Sequence, residues 1–153
     1  MLLEHTSSRK KQSGFTLIEL MVSLALIMIL ASISIPVYHS FQTRNDLDIA
    51  VSTTAQIIRR AQALSQAVSG DSSWGVYAQS NKITIFKGTS FLGRDSSFDE
   101  TFETPSISNV SGLTELVFQK FSGEPITTGD IILKSVDDET KKISIGAKGV
   151  LSY

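Results

Sequence analysis

From Leu20 to Tyr38 the chain runs for 19 residues without a charged side chain, and a run of that kind decides where everything else can sit. At about 1.5 Å per helical residue it covers roughly 28 Å, close to the hydrocarbon thickness of about 30 Å, so the run predicts a single crossing of a bilayer. Arg9, Lys10 and Lys11 stand before it, and the first charge after it is Arg44. This asymmetry predicts an N-terminus in the cytoplasm and the bulk of the chain outside. A cleaved secretory signal and a plain anchor would share these features. The best small-x-small site for signal peptidase, Ser32-Ile33-Ser34, is weak, and Pro36 follows two residues later.

The remainder is of ordinary soluble composition. With 153 residues, no cysteine and a formal net charge of −1, the chain is too short for a multidomain enzyme and lacks the thiols for disulfides or a cysteine metal site. Its charge balance leaves no large surplus of Lys and Arg for a nucleic acid, so any such role needs a local patch. The basic residues best grouped for one are Lys134, Lys141, Lys142 and Lys148.

The polar residues at the edge of the apolar run are more specific. Glu19 stands inside Phe15-Thr16-Leu17-Ile18-Glu19-Leu20-Met21-Val22. An acidic residue at the centre of a membrane helix costs about 2.5 to 3.5 kcal/mol, less near the end, and such residues usually have a partner. The bland alternative is that Glu19 reaches the headgroups. Taken whole, Ser13-Gly14-Phe15-Thr16-Leu17-Ile18-Glu19-Leu20-Met21-Val22 resembles the N-terminal signal of type IV prepilins and type II secretion pseudopilins: a short basic leader ending in Gly, then Phe, then Glu four residues on.

The resemblance, over residues 9–45, implies particular roles. Prepilin peptidase would cleave between Gly14 and Phe15 and methylate the new amine of Phe15. Glycine is suited to the cut because a bare backbone approaches a cleft closely. Glu19 would pair with the Phe15 amine of a neighbouring subunit, and Pro36 sits where these proteins often bend the helix. Partners implied are the peptidase, other pilin or pseudopilin subunits, the membrane assembly platform and the membrane itself. Loss of the leader would remove Glu4, Arg9, Lys10 and Lys11 and shift the side-chain charge from −1 to −3.

Past the membrane, Leu47, Ala50, Val51, Thr54, Ile57, Ile58, Ala61, Leu64 and Val68 recur at helical spacing, with Gly70 as the expected stop. Alternation then takes over. Strands are expected at 74–78 and 82–86 around the turn Gln79-Ser80-Asn81, and at 115–121, 131–136 and 142–145, with a short edge strand in 149–153. The stretch from Gly88 to Gly112 reads as a long loop with room for a short strand near Ile107. The expected fold is therefore α+β and pilin-like. It comprises a leader (1–14), a transmembrane or filament-core helix (15–40), the amphipathic half of the same helix (41–69) and a mainly antiparallel β domain (70–153). The hairpin pattern without cysteines is most similar to minor pseudopilins.

Catalysis finds little material. The only histidines are His5 and His39, and Gly88–Gly93 has the glycine spacing of a phosphate loop without its Lys-Ser/Thr. The acidic groups Asp95, Asp99, Glu100, Glu103 and Asp137, Asp138, Glu139 lack the spacing of a calcium loop. No enzyme activity, metal or cofactor is expected. The readings left open are an assembling structural subunit, a pilin-like tip module that binds DNA or a surface, and a membrane-anchored domain that never assembles.

Overall fold

A computed structural model describes residues 14–153, apart from the side chains of 33–37, 39, 40 and 43. Residues 1–13 of the expected leader and the side chain of Pro36 thus lie outside the described residues. The chain divides into two units, one ending at His39 and the other covering Ser40–Tyr153. Helix α1 spans Leu17–Gln66. Eight strands follow: β1 Trp74–Gln79, β2 Lys82–Lys87, β3 Asp95–Glu103, β4 Asn109–Gly112, β5 Glu115–Phe118, β6 Gly129–Lys134, β7 Thr140–Ile145 and β8 Leu151–Ser152. The fold is α+β, a helix followed by antiparallel sheet.

The helix ends earlier than its sequence suggests. Its last backbone bonds run from Ala67 to Ala63 (2.8 Å) and from Val68 to Ser65 (3.1 Å), and Val68, not Gly70, is the first residue in the left-handed conformation, at φ 54°. Ser65 explains the early stop. Fully buried, its hydroxyl oxygen accepts the Trp74 N–H at 2.8 Å and donates toward the Phe118 carbonyl at 3.2 Å, while its own carbonyl accepts from Phe121. One side chain thus joins the end of α1 to the start of β1 and the end of β5.

The strands form two four-stranded sheets, ordered β3-β2-β1-β5 and β4-β6-β7-β8. The hairpin β1/β2 forms as expected, with Asn81 supplying a positive φ of 62° in its turn, and the C-terminal edge strand is present as β8. The expected long loop is corrected: Gly88–Gly112 contains β3, paired along β2, and β4, paired with β6. Most of β3 faces solvent, so no apolar alternation marks it; backbone pairing with β2 holds it. The strand expected at 115–121 stops at Phe118, because Phe121 turns left-handed at φ 71°.

The first sheet is covered on both faces. Trp74, Val76, Ala78, Ile83, Ile85, Leu116 and Phe118 point into one core with Leu47, Val51, Ile58 and Ala61 of α1, joined there by Ile131, Leu133, Ile143 and Ile145 of the second sheet. The alternate side chains Tyr77 and Phe86 meet Phe91 instead, by stacking at 4.0 Å and edge-on at 5.6 Å. Residues 88–94 therefore form a strap over the outer face. Gly75 shows how closely that face is packed: a Cβ there would lie 2.4 Å from the Phe86 ring.

Exposed ion pairs tie α1 to the sheets: Arg44 to Glu139 (2.9 Å), Asp48 to Lys141 (2.8 Å) and Arg60 to Glu100 (2.8 Å). Elsewhere a hydrogen bond from Lys120, reinforced by its charge, holds the Asp71 carboxyl below its ordinary value of 3.8, and Lys134 does the same for Asp138. For Asp130 the Ser144 hydroxyl contributes most, then Lys142. A depressed carboxyl stabilises the fold above its unfolded pKa, and that contribution disappears as pH falls through the lower folded value. The melting temperature, followed by fluorescence of the single tryptophan Trp74, should hold level down to pH about 4 and decline below it. A profile that rose on acidification would contradict these pairs.

Candidate functional site

The N-terminal segment begins with Gly14, which is exposed and has nothing within 4 Å of where a Cβ would project. Phe15 follows at 82% exposure, and the helix starts at Leu17. What starts it is a reciprocal pair. The Thr16 hydroxyl accepts the Glu19 N–H at 3.3 Å, and the Glu19 carboxylate reaches back to the Thr16 N–H at 3.5 Å. This is a capping box, in which Thr16 is the N-cap and Glu19 the third helical residue; a good N-cap stabilises a helix by about 1 kcal/mol. The carboxylate also lies where the helix dipole favours negative charge. The Thr-x-x-Glu spacing was present in the sequence, and Thr16 is the residue that attention to Glu19 alone passes over.

Beyond the cap the helix is a sleeve of exposed apolar side chains, among them Leu20, Met21, Leu24, Ile27, Met28 and Leu30. Two serines interrupt it without opening it: Ser23 donates to the Glu19 carbonyl at 2.7 Å and Ser32 to the Ile29 carbonyl at 2.8 Å. Backbone-satisfied hydroxyls of this kind are tolerated in apolar surroundings. Within residues 14–32 Glu19 is the one charged side chain. Among the described residues no helix is long and apolar enough to cross a membrane, and the charge-free run continues into positions 33–37, whose side chains are not described.

The other candidate residues do not gather into a site. Lys134, Lys141 and Lys142 are each engaged by a carboxylate, Asp138 at 2.7 Å, Asp48 at 2.8 Å and Asp130 at 3.3 Å, while Lys148 is exposed in the turn between β7 and β8. The acidic residues are likewise dispersed onto cations: Asp99 to Arg94, Glu100 to Arg60 and Glu139 to Arg44. Among the described residues no group of three His, Cys, Asp or Glu is placed to hold a metal ion.

Comparison with known proteins matches only part of the chain. The family model "Prokaryotic N-terminal methylation motif" matches residues 9–35. A "Fimbrial protein" of Pseudomonas aeruginosa is 44% identical over 54 residues, 35% of each chain. A "Type IV major fimbrial protein FimA" of Dichelobacter nodosus is 48% identical over 46 residues, 30% of each chain. The match thus spans about a third of the length of these relatives, and no solved structure matches. Over part of its length, then, the chain is similar to type IV fimbrial proteins and carries their N-terminal methylation motif, with Thr16 and Glu19 capping the helix inside that motif.

Proposed function

We propose that this chain is a prepilin-like structural subunit, cleaved between Gly14 and Phe15 and methylated on the Phe15 amine, that leaves the membrane to join a helical filament. The observation that supports this most is the single carboxylate, Glu19, at the head of an otherwise uncharged apolar sleeve and four residues from the junction. The open backbone at Gly14 suits entry into a peptidase cleft. Before assembly the apolar helix sits in the cytoplasmic membrane as a single pass, its N-terminus inside and the β domain outside. In the filament the same surface packs against other subunits, and Glu19 meets the Phe15 amine of a neighbour, since a buried charge needs an opposite one.

On this reading the Pro36 region bends the helix, and the machine is a type IV pilus or a type II secretion pseudopilus. A minor subunit is favoured by the cysteine-free hairpin domain. The DNA-binding alternative gains nothing from Lys134, Lys141 and Lys142, each already held by a carboxylate. Mass spectrometry of the mature protein should find N-methylated Phe15 as the first residue, and Glu19→Ala should still insert into the membrane yet be lost from sheared filaments about tenfold or more. An intact leader, or normal incorporation of Glu19→Ala, would sink the proposal.

A further inference from the structure

The Ser40–Tyr153 unit has two unlike ends, and the length of α1 keeps them apart. At one end a pocket of about 270 Å³ opens between α1 and the turns that follow β3 and β6, lined by Asp46, Pro105, Ser106, Ser135 and Val136. Asp46 is half-buried there, and no cation among the described residues pairs with it, although Arg44 and Asp48 on either side are both engaged. Val136 is 69% exposed. A carboxylate with two serines beside it offers acceptors to an ammonium group, which brings three donors. A partly desolvated charge without a counter-ion gains more from one than a fully hydrated charge does.

Three exposed cations have no carboxylate among the described residues: Arg59, Lys82 and Lys148. Lys82 opens β2 beside Asn81, whose backbone bonds to Thr104 and Ile107, so it sits at the pocket's own end. Arg59 lies partway along α1. Lys148 is at the far end. The next residue, Gly149, lies so close to α1 that a Cβ would stand 2.3 Å from the Gln62 amide, and Gln62 is about 24 Å of helix beyond Asp46. The turn that carries Lys148 is closed by backbone bonds from Gly146 to Val150 and from Gly149 to Gly146, each 2.9 Å, so little conformational entropy remains to be lost on docking. Val150, beside it, is 70% exposed.

We infer that Lys148 of one copy enters the Asp46 pocket of a second copy of this chain, with Val150 of the first against Val136 of the second. Each charge then finds the counter-ion it lacks in its own chain, and two exposed valines leave water together. Cation and pocket stand at opposite ends of the unit, so copies pointing the same way join head to tail. Such a contact is heterologous and leaves a cation free at one end of the row and a pocket at the other. Two copies side by side in opposite directions would satisfy both contacts at once and stop at a pair. The choice against that arrangement rests on the filament reading, in which all copies point one way.

The full-length chain in concentrated detergent micelles, treated with a zero-length carbodiimide, should form an amide between the Asp46 carboxylate and the Lys148 amine, identified by mass spectrometry of the digest. With about 24 Å of helix between the two ends of one copy, that amide can only join different copies. Dimers should be followed by longer species. Lys148→Glu should lower the linked yield about tenfold, and Val136→Asp should lower it as well. Asp46→Lys combined with Lys148→Glu should restore it through the reversed amide. Unchanged Trp74 fluorescence establishes that each variant is folded. Absence of the Asp46–Lys148 amide, or indifference to Lys148→Glu, would overturn the contact, and a series that stops at dimers would overturn its head-to-tail direction. None of these readouts depends on how Phe15 is processed. A missing amide in a chain with methylated Phe15 defeats the contact and leaves the proposed function standing, whereas an intact leader on a chain that forms the full series does the reverse.

Discussion

Phe118→Ala is expected to destabilise the β domain by about 3 to 5 kcal/mol, the usual cost of deleting a fully buried phenylalanine. The ring is completely inaccessible and packs in the core shared by α1 and both sheets. Removing it costs the transfer free energy of the ring and leaves a cavity that cannot collapse, because the surrounding backbone is held on several sides. Residue 118 pairs with Trp74 across the ladder, forms a bridge with Pro125, and offers its carbonyl to Ser65. In a unit of this size the loss corresponds to a fall in melting temperature on the order of 10 to 25 °C. Trp74 fluorescence reports it directly, since the indole is buried in the same core and donates to the Ser69 carbonyl at 2.8 Å. A shift of only a few degrees would show that the core tolerates a void at this point.

Gly112→Val should be nearly as damaging, although the residue is exposed. Gly112 ends β4 at φ 77°, and a Cβ there would sit 2.3 Å from the carbonyl oxygen of Asp130. The left-handed conformation costs a non-glycine residue roughly 1 to 2 kcal/mol, and overpacking adds typically 1 to 3 kcal/mol. The obstacle is backbone, not the movable end of a side chain, and the same carbonyl already accepts the Leu113 N–H at 2.9 Å. Relief therefore means separating β4 from β6. The contrast with Gly149 provides the control: a Cβ at that position would lie 2.3 Å from the Gln62 amide, which can swing aside. Thermal melts should place Gly112→Val well below Gly149→Ala, and equal melting points would refute the distinction.

The parts of this fold that were legible in the sequence are those where side chains alone decide. Ile83 and Ile85 alternate with Thr84 and Phe86, and α1 shows its buried stripe at Leu47, Val51, Ile58 and Ala61, because both faces have a definite fate. β3 was illegible for the opposite reason. Its residues mostly face water, and its place is set by pairing with β2 and by Arg94 and Arg60 reaching Asp99 and Glu100 from elsewhere in the chain. The helix end was misplaced because Ser65, an unremarkable residue by propensity, has three backbone partners that only the assembled sheet brings near it. In the N-terminal segment the methylation motif of residues 9–35 could be read directly, since local spacing defines it. The engagement of Lys134, Lys141 and Lys142 could not, since their carboxylates lie on the helix, a neighbouring strand and a turn.

The serines of the N-terminal helix bear on how such a chain would sit among its neighbours. Ser23 and Ser32 spend their hydroxyls on their own backbone, so from Phe15 to Ser32 the helix shows the outside world hydrocarbon and one carboxylate. Packed hydrocarbon side chains favour ridges-into-grooves registers about a turn apart without a charge to single out one of them. Vertical alignment between adjacent helices would then be specified at a single point near one end. In the filament proposed above, that point would be Glu19, the one charge on this stretch of helix.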